Sequence, residues 1–256
     1  MRFRGKSPNM ETSLIPAEVI TVAETHQLGE PYAQFQTLPM KQKRHIFSTT
    51  FSTSFTIYPC PHGLIQRNDK TQAVQVIRWE HIKEFYVQSW QEVEGSPENG
   101  VISRWTRCSF NLNCTDGTSF RFVGTSDSLI LRRLIEKALT ASQLPSVIET
   151  YNTGKSVTFG DLTLTQAGVS NGEYTFTWDK ILCIDFAGDA IRVRGFQWDI
   201  SFGVPASTTP NVCVLEAFIR YLDRQGKTDL PSHANLSTTE KRFSRKAHRL
   251  LRQNEP

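Results

Sequence analysis

The sequence predicts an α+β protein that is mainly β and contains two copies of one fold. A motif of tryptophan, acid, base and isoleucine occurs twice, as Trp79-Glu80-His81-Ile82 and as Trp178-Asp179-Lys180-Ile181. A glycine followed by an apolar residue precedes each motif, and an amphipathic helical pattern follows each. The two motifs lie roughly 100 residues apart, about the length of a small domain. This period is too long for a solenoid and favours a tandem duplication.

Residues 1–27 are predicted to form a flexible N-terminal arm, with one short helix around Pro16 to Glu24. The first residues lack the apolar segment of a signal peptide. No stretch of the chain approaches the roughly 20 consecutive apolar residues that a membrane-spanning helix needs. We therefore expect a cytoplasmic protein that, if it meets a membrane, does so at the membrane surface.

The first predicted module covers residues 28–145. Period-two alternation of aromatic and β-branched residues over 45–58 is typical of a strand. Trp79 is expected to be a core anchor, because an indole buries on the order of 200 Å². Asp116-Gly117 has the pattern of a two-residue hairpin turn. A helix with one apolar stripe is predicted to begin near Asp127 and to end at Pro145.

A linker is predicted over residues 144–154, at the start of a second module that covers 146–230. Gly154-Lys155-Ser156 does not complete a phosphate-binding loop, because Glu149 stands where that motif needs glycine. Asn171-Gly172 predicts a hairpin turn. Asn211 is a suitable N-cap for the second helix, and Gly226 is a suitable C′ residue after it.

The cysteines argue against a metal site and a disulfide framework. The chain has five of them, an odd number, and none forms a Cys-x-x-Cys pair. Their apolar or alternating surroundings predict buried free thiols. No cofactor and no metal are expected, and no residue of the chain is assigned to either.

The last predicted segment, residues 231–256, is a basic tail that carries the net charge of the chain. Its six bases stand against Glu240 and Glu255, and six minus two equals the whole net charge of +4. These bases are Lys241, Arg242, Arg245, Lys246, Arg249 and Arg252. Two interpretations stay open: a solvated, frayed chain end, or a short amphipathic helix that contacts an anionic membrane or another anionic partner. The near-neutral body argues against a broad nucleic-acid-binding face.

The six histidines are scattered and give no catalytic constellation. His81 beside Glu80 is the only close pair, and on a strand the two side chains would point to opposite faces. No nucleophile has a base at a recognisable spacing, so we expect that the protein is not an enzyme.

The predicted order of several strands closed by one C-terminal helix occurs twice. This arrangement resembles a tandem of pleckstrin-homology-like (PH-like) domains. The chain is similar to an uncharacterised bacterial family with two such halves. Together the matching marks span about 200 residues of the chain, which is roughly two small domains. They are Leu28-Gly29-Glu30-Pro31, Gly63-Leu64, Arg78 to Ile82, Asp116-Gly117, Phe159-Gly160 with Leu162, Gly168, Trp178 to Ile181, and Pro210-Asn211.

The resemblance implies that each half is an antiparallel, strongly bent sheet or partial barrel closed by one amphipathic helix. Trp79, Ile82, Trp178 and Ile181 are then the structural anchors of the repeat. The resemblance carries no known activity, so it assigns no functional residue.

The leading hypothesis is a non-catalytic cytoplasmic interaction or scaffold protein with a protein or peptide partner. One alternative is peripheral membrane association through the basic tail, and another is an enzyme of unrecognised type. The sequence identifies no small-molecule substrate.

Overall fold

The computed structural model describes residues 15–38, 40–43, 50–94, 103–124, 127–187, 189–196 and 201–226. Antiparallel sheets dominate, and the described residues include three α-helices, so the predicted α+β, mainly β class is confirmed. In this part of the chain, none of the sheets closes into a barrel. We call residues 28–145 the first half and residues 146–226 the second half.

The first half begins with a four-stranded antiparallel sheet in the order β1-β4-β5-β6. A separate hairpin, β2-β3, is inserted after β1. The strands are β1 Phe35–Gln36, β2 Met40–Lys43, β3 Thr50–Thr53, β4 Phe55–Cys60, β5 Gly63–Asn68 and β6 Val74–Arg78. A three-stranded sheet β7-β8-β9 follows, and then helix α2. These elements are β7 Ile82–Glu94, β8 Ser103–Cys114, β9 Ser119–Val123 and α2 Ser128–Asn152.

The second half has the same order in shorter form. A four-stranded sheet β10-β11-β12-β13 is followed by a three-stranded sheet β14-β15-β16 and by helix α3. These elements are β10 Val157–Phe159, β11 Leu162–Leu164, β12 Gly168–Ser170, β13 Thr175–Thr177, β14 Ile181–Ala187, β15 Ala190–Gly195, β16 Ser201–Pro205 and α3 Val212–Arg224. Along β15 buried and exposed residues alternate, as a half-buried strand requires.

The tryptophan motifs form turns instead of strand ends. Trp79–His81 and Trp178–Lys180 are each a single 3-10 turn between the four-stranded and the three-stranded sheet. The expectation that Glu80 and His81 point to opposite faces of a strand is therefore wrong. In both halves the strand that follows has a β-bulge one residue after the motif isoleucine, at Lys83 and at Leu182.

Helix α2 does not end at Pro145, and the predicted linker over residues 144–154 is mostly helical. The helix continues through Pro145 to Asn152 and ends in a turn at Gly154, where φ is +81°. Pro145 cannot donate to the carbonyl of Ala141, but both residues lie on the exposed side, where water can hydrate that carbonyl. Helix α2 therefore crosses the predicted boundary between the modules.

The short helix expected around Pro16 to Glu24 is present, and it packs on the first sheet. Helix α1, Ala17–Thr25, packs on the outer face of the first sheet, with Val19 and Ala23 buried. Its cluster also contains Tyr58, Cys60 and Ile65. Arg67 donates to Glu18 at 2.8 Å and attaches the helix to β5. Residues 1–14 lie outside the described residues.

One continuous buried cluster extends through both halves. At its centre Tyr151, the last buried residue of α2, meets Phe218 of α3 edge-on at 5.1 Å between ring centroids. The helix of the first half therefore contributes to the hydrophobic interior of the second. Among the described residues, no helix combines the length and apolarity needed to cross a bilayer.

Candidate functional site

The outer edge of β7 is occupied by a residue from the other half of the chain. The Phe85 amide donates to Oδ1 of Asn211 at 2.8 Å, and the Asn211 amide donates to the Phe85 carbonyl at 2.9 Å. Nδ2 of Asn211 also donates to the carbonyl of Lys83, the bulge residue, at 2.9 Å. Asn211 thus satisfies backbone groups on the outer edge of β7.

The backbone of Asn211 is in the left-handed region, with φ 53° and ψ 37°. Asparagine tolerates this conformation better than other non-glycine residues. Asn211 stands at the N-cap position of α3, as predicted, but its side chain makes no capping hydrogen bond. The N-cap role is therefore wrong for the side chain, because both ends of the amide bind β7 instead.

The second half contains the edge that corresponds to β7. In β7 the bulge at Lys83 is followed by the pair Phe85↔Leu112, and in β14 the bulge at Leu182 is followed by the pair Ile184↔Val193. Because Phe85 directs its N–H and C=O outward to Asn211, the matching register directs those of Ile184 outward as well. No described residue makes a hydrogen bond to these groups of Ile184.

A groove of about 460 Å³ lies between α2 and the first turn of α3. Its lining residues are Glu136, Lys137, Thr140, Ala141, Leu144, Pro145 and Cys213. Burial raises the pKa of the Cys213 thiol to about 12. Because the thiolate is the nucleophilic form, the raised pKa lowers the reactivity of this cysteine at neutral pH.

Glu136, which lines the groove, forms a half-buried ion pair with Arg132. Arg132 donates from Nε to Glu136 at 2.6 Å and from Nη1 to the Ser89 hydroxyl at 3.1 Å. Burial raises the pKa of the Glu136 carboxyl, although the Arg132 guanidinium opposes the shift. The arrangement connects α2 to β7 and satisfies the carboxylate, so it resembles a structural pair more than a catalytic acid.

The predicted anchors of the repeat lie at corresponding places. Trp79, Ile82 and Ile181 are buried, whereas Trp178 is only half-buried. The Trp79 indole donates to the carbonyls of Cys60 and Pro61, both at 3.1 Å. The Trp178 indole donates to the carbonyl of Thr165 at 3.0 Å. In both halves the indole thus binds the backbone where the second strand of the four-stranded sheet turns into the third.

The six predicted basic contacts, Lys241, Arg242, Arg245, Lys246, Arg249 and Arg252, lie outside the described residues. Within the described part of the chain, no three His, Cys, Asp or Glu side chains come close enough together to hold a metal ion. Four of the five cysteines are buried and Cys213 is half-buried, all as free thiols.

Sequence reasoning found the position of Asn211 but missed its partners, which lie 126 and 128 residues away. The available signal was the pair Pro210-Asn211 directly before a strongly amphipathic helix. That signal indicates a helix start, and no local pattern tells a capping asparagine from one that binds another element.

The chain as a whole has two repeated sheet-and-helix units, joined by a shared helix and by an asparagine that binds a strand edge. It belongs to the family of unknown function DUF6585, whose family model matches residues 44–228. No curated protein matches the chain.

Proposed function

We propose that this chain is a non-catalytic interaction protein built from two PH-like modules. The PH-like assignment is supported by the order of elements in each half: a four-stranded sheet, a 3-10 turn, a three-stranded sheet and a closing helix. The inserted hairpin β2-β3 is the main departure in the first half.

The observation that carries the proposal is the contact between Asn211 and β7. Three hydrogen bonds to backbone groups of Lys83 and Phe85 attach a non-strand segment to a sheet edge. Hydrogen bonding to the backbone groups of an edge strand is a common mode of peptide recognition. The first module therefore already binds a segment of polypeptide, supplied by its own chain.

The chemistry of the groove between α2 and α3 favours binding over catalysis. Its thiol, Cys213, has a pKa of about 12, and its carboxylate, Glu136, is paired with Arg132. A nucleophile needs an adjacent base or a lowered pKa, and Cys213 has a raised one. An iodoacetamide time course at pH 7.5 checks this: we expect slow alkylation of Cys213 in the folded chain and fast alkylation in urea.

The test of the function is affinity capture from extracts of the native host, with the full chain as bait and quantitative mass spectrometry as readout. We expect a partner that is retained in stoichiometric amount and is lost with a bait unfolded by heat. Substrate turnover by the purified chain, abolished by one polar substitution such as Glu136→Gln, would refute the proposal.

A further inference from the structure

We infer that the outer edge of β14 binds a turn segment of a partner protein, of the same chemistry as the turn 205–212 whose Asn211 meets the edge of β7. This inference rests on the proposed function and assigns its binding site. The occupant it requires is a short turn with a Pro-Asn pair, in which the backbone and the amide side chain of the asparagine meet the strand edge.

The first argument is the correspondence of the two edges. Each strand begins at the isoleucine of a tryptophan motif, continues through a one-residue bulge and pairs in the same register with the next strand. The correspondence matches Lys83 with Leu182, Phe85 with Ile184, and Val87 with Phe186. An occupant that satisfies the carbonyl of Lys83 and both backbone groups of Phe85 thus has matching groups to bind on β14.

The second argument is that the residues of β14 itself carry none of the usual protection of an exposed strand edge. Exposed edges in monomeric proteins are usually blocked by lysine, proline or a very short strand. β14 has seven residues without lysine or proline, and its bulge carries Leu182 where β7 has Lys83. Leu182, Ile184 and Phe186 are all half-buried apolar residues. An edge of this kind is open to backbone hydrogen bonds from another chain.

The third argument concerns the chemistry of the occupant. Asp185, the acidic residue of β14, forms an ion pair with Arg194 of β15. The charge of Asp185 is therefore already balanced and does not favour a positively charged occupant. What the edge offers is backbone N–H and C=O groups beside apolar side chains. Asn211 shows which side chain this fold uses to meet such groups at a bulge, because its amide both donates and accepts.

The probe is a synthetic peptide with the sequence of residues 205–212, titrated to millimolar concentration into the ¹⁵N-labelled full chain. We expect saturable shifts of the Ile184 and Phe186 amide resonances in a 1:1 complex. A peptide with alanine in place of its asparagine should bind at least tenfold more weakly, because it loses the amide that meets the bulge carbonyl.

Two matched variants locate the site. Phe186→Pro removes an outward N–H from β14, and Val87→Pro removes the corresponding one from β7; both residues are half-buried. Proline is tolerated at outward-facing edge positions, and circular dichroism confirms the fold of each variant. We expect Phe186→Pro to weaken peptide binding at least tenfold and Val87→Pro to leave it unchanged.

Three results would overturn the inference: no saturable binding to the full chain, equal binding to both proline variants, or a dimer of the chain that Phe186→Pro dissociates. The last result would mean that the β14 edge pairs with a second copy instead. If affinity capture retains one partner equally on the full chain and on Phe186→Pro, the interaction function stands and the β14 site is wrong.

Discussion

Asn211 and Phe85 exchange two hydrogen bonds across the two halves of the chain, one from each backbone amide. The exchange resembles one rung of an antiparallel ladder, except that one acceptor is a side-chain oxygen. It joins the start of α3 to the edge of β7, so the position of the second closing helix depends on a strand of the first half.

Replacement of Asn211 by alanine should destabilise the fold by about 2–4 kcal/mol, because it leaves the Phe85 amide and the Lys83 carbonyl without their partner. Urea unfolding monitored by tryptophan fluorescence measures the loss. Asn211→Gly is the matched control for the backbone, since glycine accepts the left-handed φ without strain. If alanine and glycine variants both unfold at the wild-type urea midpoint, the contact contributes nothing to stability.

Gly168→Ala should destabilise the second half by about 1–3 kcal/mol, through a clash that forces the backbone to shift. A Cβ atom at this position would overlap the carbonyl of Phe176 on the neighbouring strand. Gly203→Ala is the control, because its Cβ would lie 3.5 Å from the nearest atom, the Ile191 carbonyl. Thermal unfolding compares the two, and equal melting temperatures would contradict the close approach of β12 and β13.

Glu136→Gln should change the pH dependence of stability. Burial raises the pKa of Glu136 above the usual value of 4.5 for a glutamate, with Arg132, Arg133 and Glu216 as its charged neighbours. A raised pKa in the folded state means that the folded chain binds this proton more tightly than the unfolded chain. Its contribution to stability is fully present below pH 4.5 and is lost as the pH rises through the folded-state pKa.

The measurement is urea unfolding of wild type and Glu136→Gln from pH 4 to pH 8. Glutamine cannot ionise but still accepts from Arg132, so the variant should gain stability relative to wild type as the pH rises. The difference between the two proteins cancels the titration of all other groups. A difference that stays constant or falls with pH contradicts the raised pKa.

Truncation after Leu236 should abolish any retention on anionic vesicles. The removed segment holds six bases and two acids, and each base near an anionic surface contributes about 1 kcal/mol of attraction. Flotation with phosphatidylserine vesicles compares the full and truncated chains, and neutral vesicles serve as the control. If the full chain does not float with anionic vesicles, the membrane hypothesis fails.

Local patterns predicted the elements whose determinants are local. Asp116-Gly117 and Asn171-Gly172 do lie in turns with glycine at positive φ, although the connection that contains Asp116-Gly117 has four residues, 115–118, instead of the predicted two. Gly226 follows α3 at φ +65°. The amphipathic pattern predicted after the second motif also matches the burial of α3. Each of these depends on conformational preferences of a few adjacent residues.

The predictions that were wrong depend on contacts between distant residues. Pro145 usually ends a helix, yet α2 continues because Tyr151 six residues later packs against Phe218 in the other half. The side chain of Asn211 accepts a hydrogen bond from the amide of Phe85, 126 residues away, and makes no capping hydrogen bond to its own helix. Trp178 is less buried than Trp79, although both stand in the same motif. None of these outcomes has a signature within one window of sequence.

Because α2 packs against apolar residues of both halves, the chain has no position at which it can be divided without exposing apolar surface. A fragment that begins at residue 146 would start within α2, and one that stops there would lack Tyr151. Each separated piece would therefore expose apolar surface that the other normally covers. Heat or denaturant should accordingly melt the chain in a single cooperative step, and attempts to express either part alone should yield aggregation.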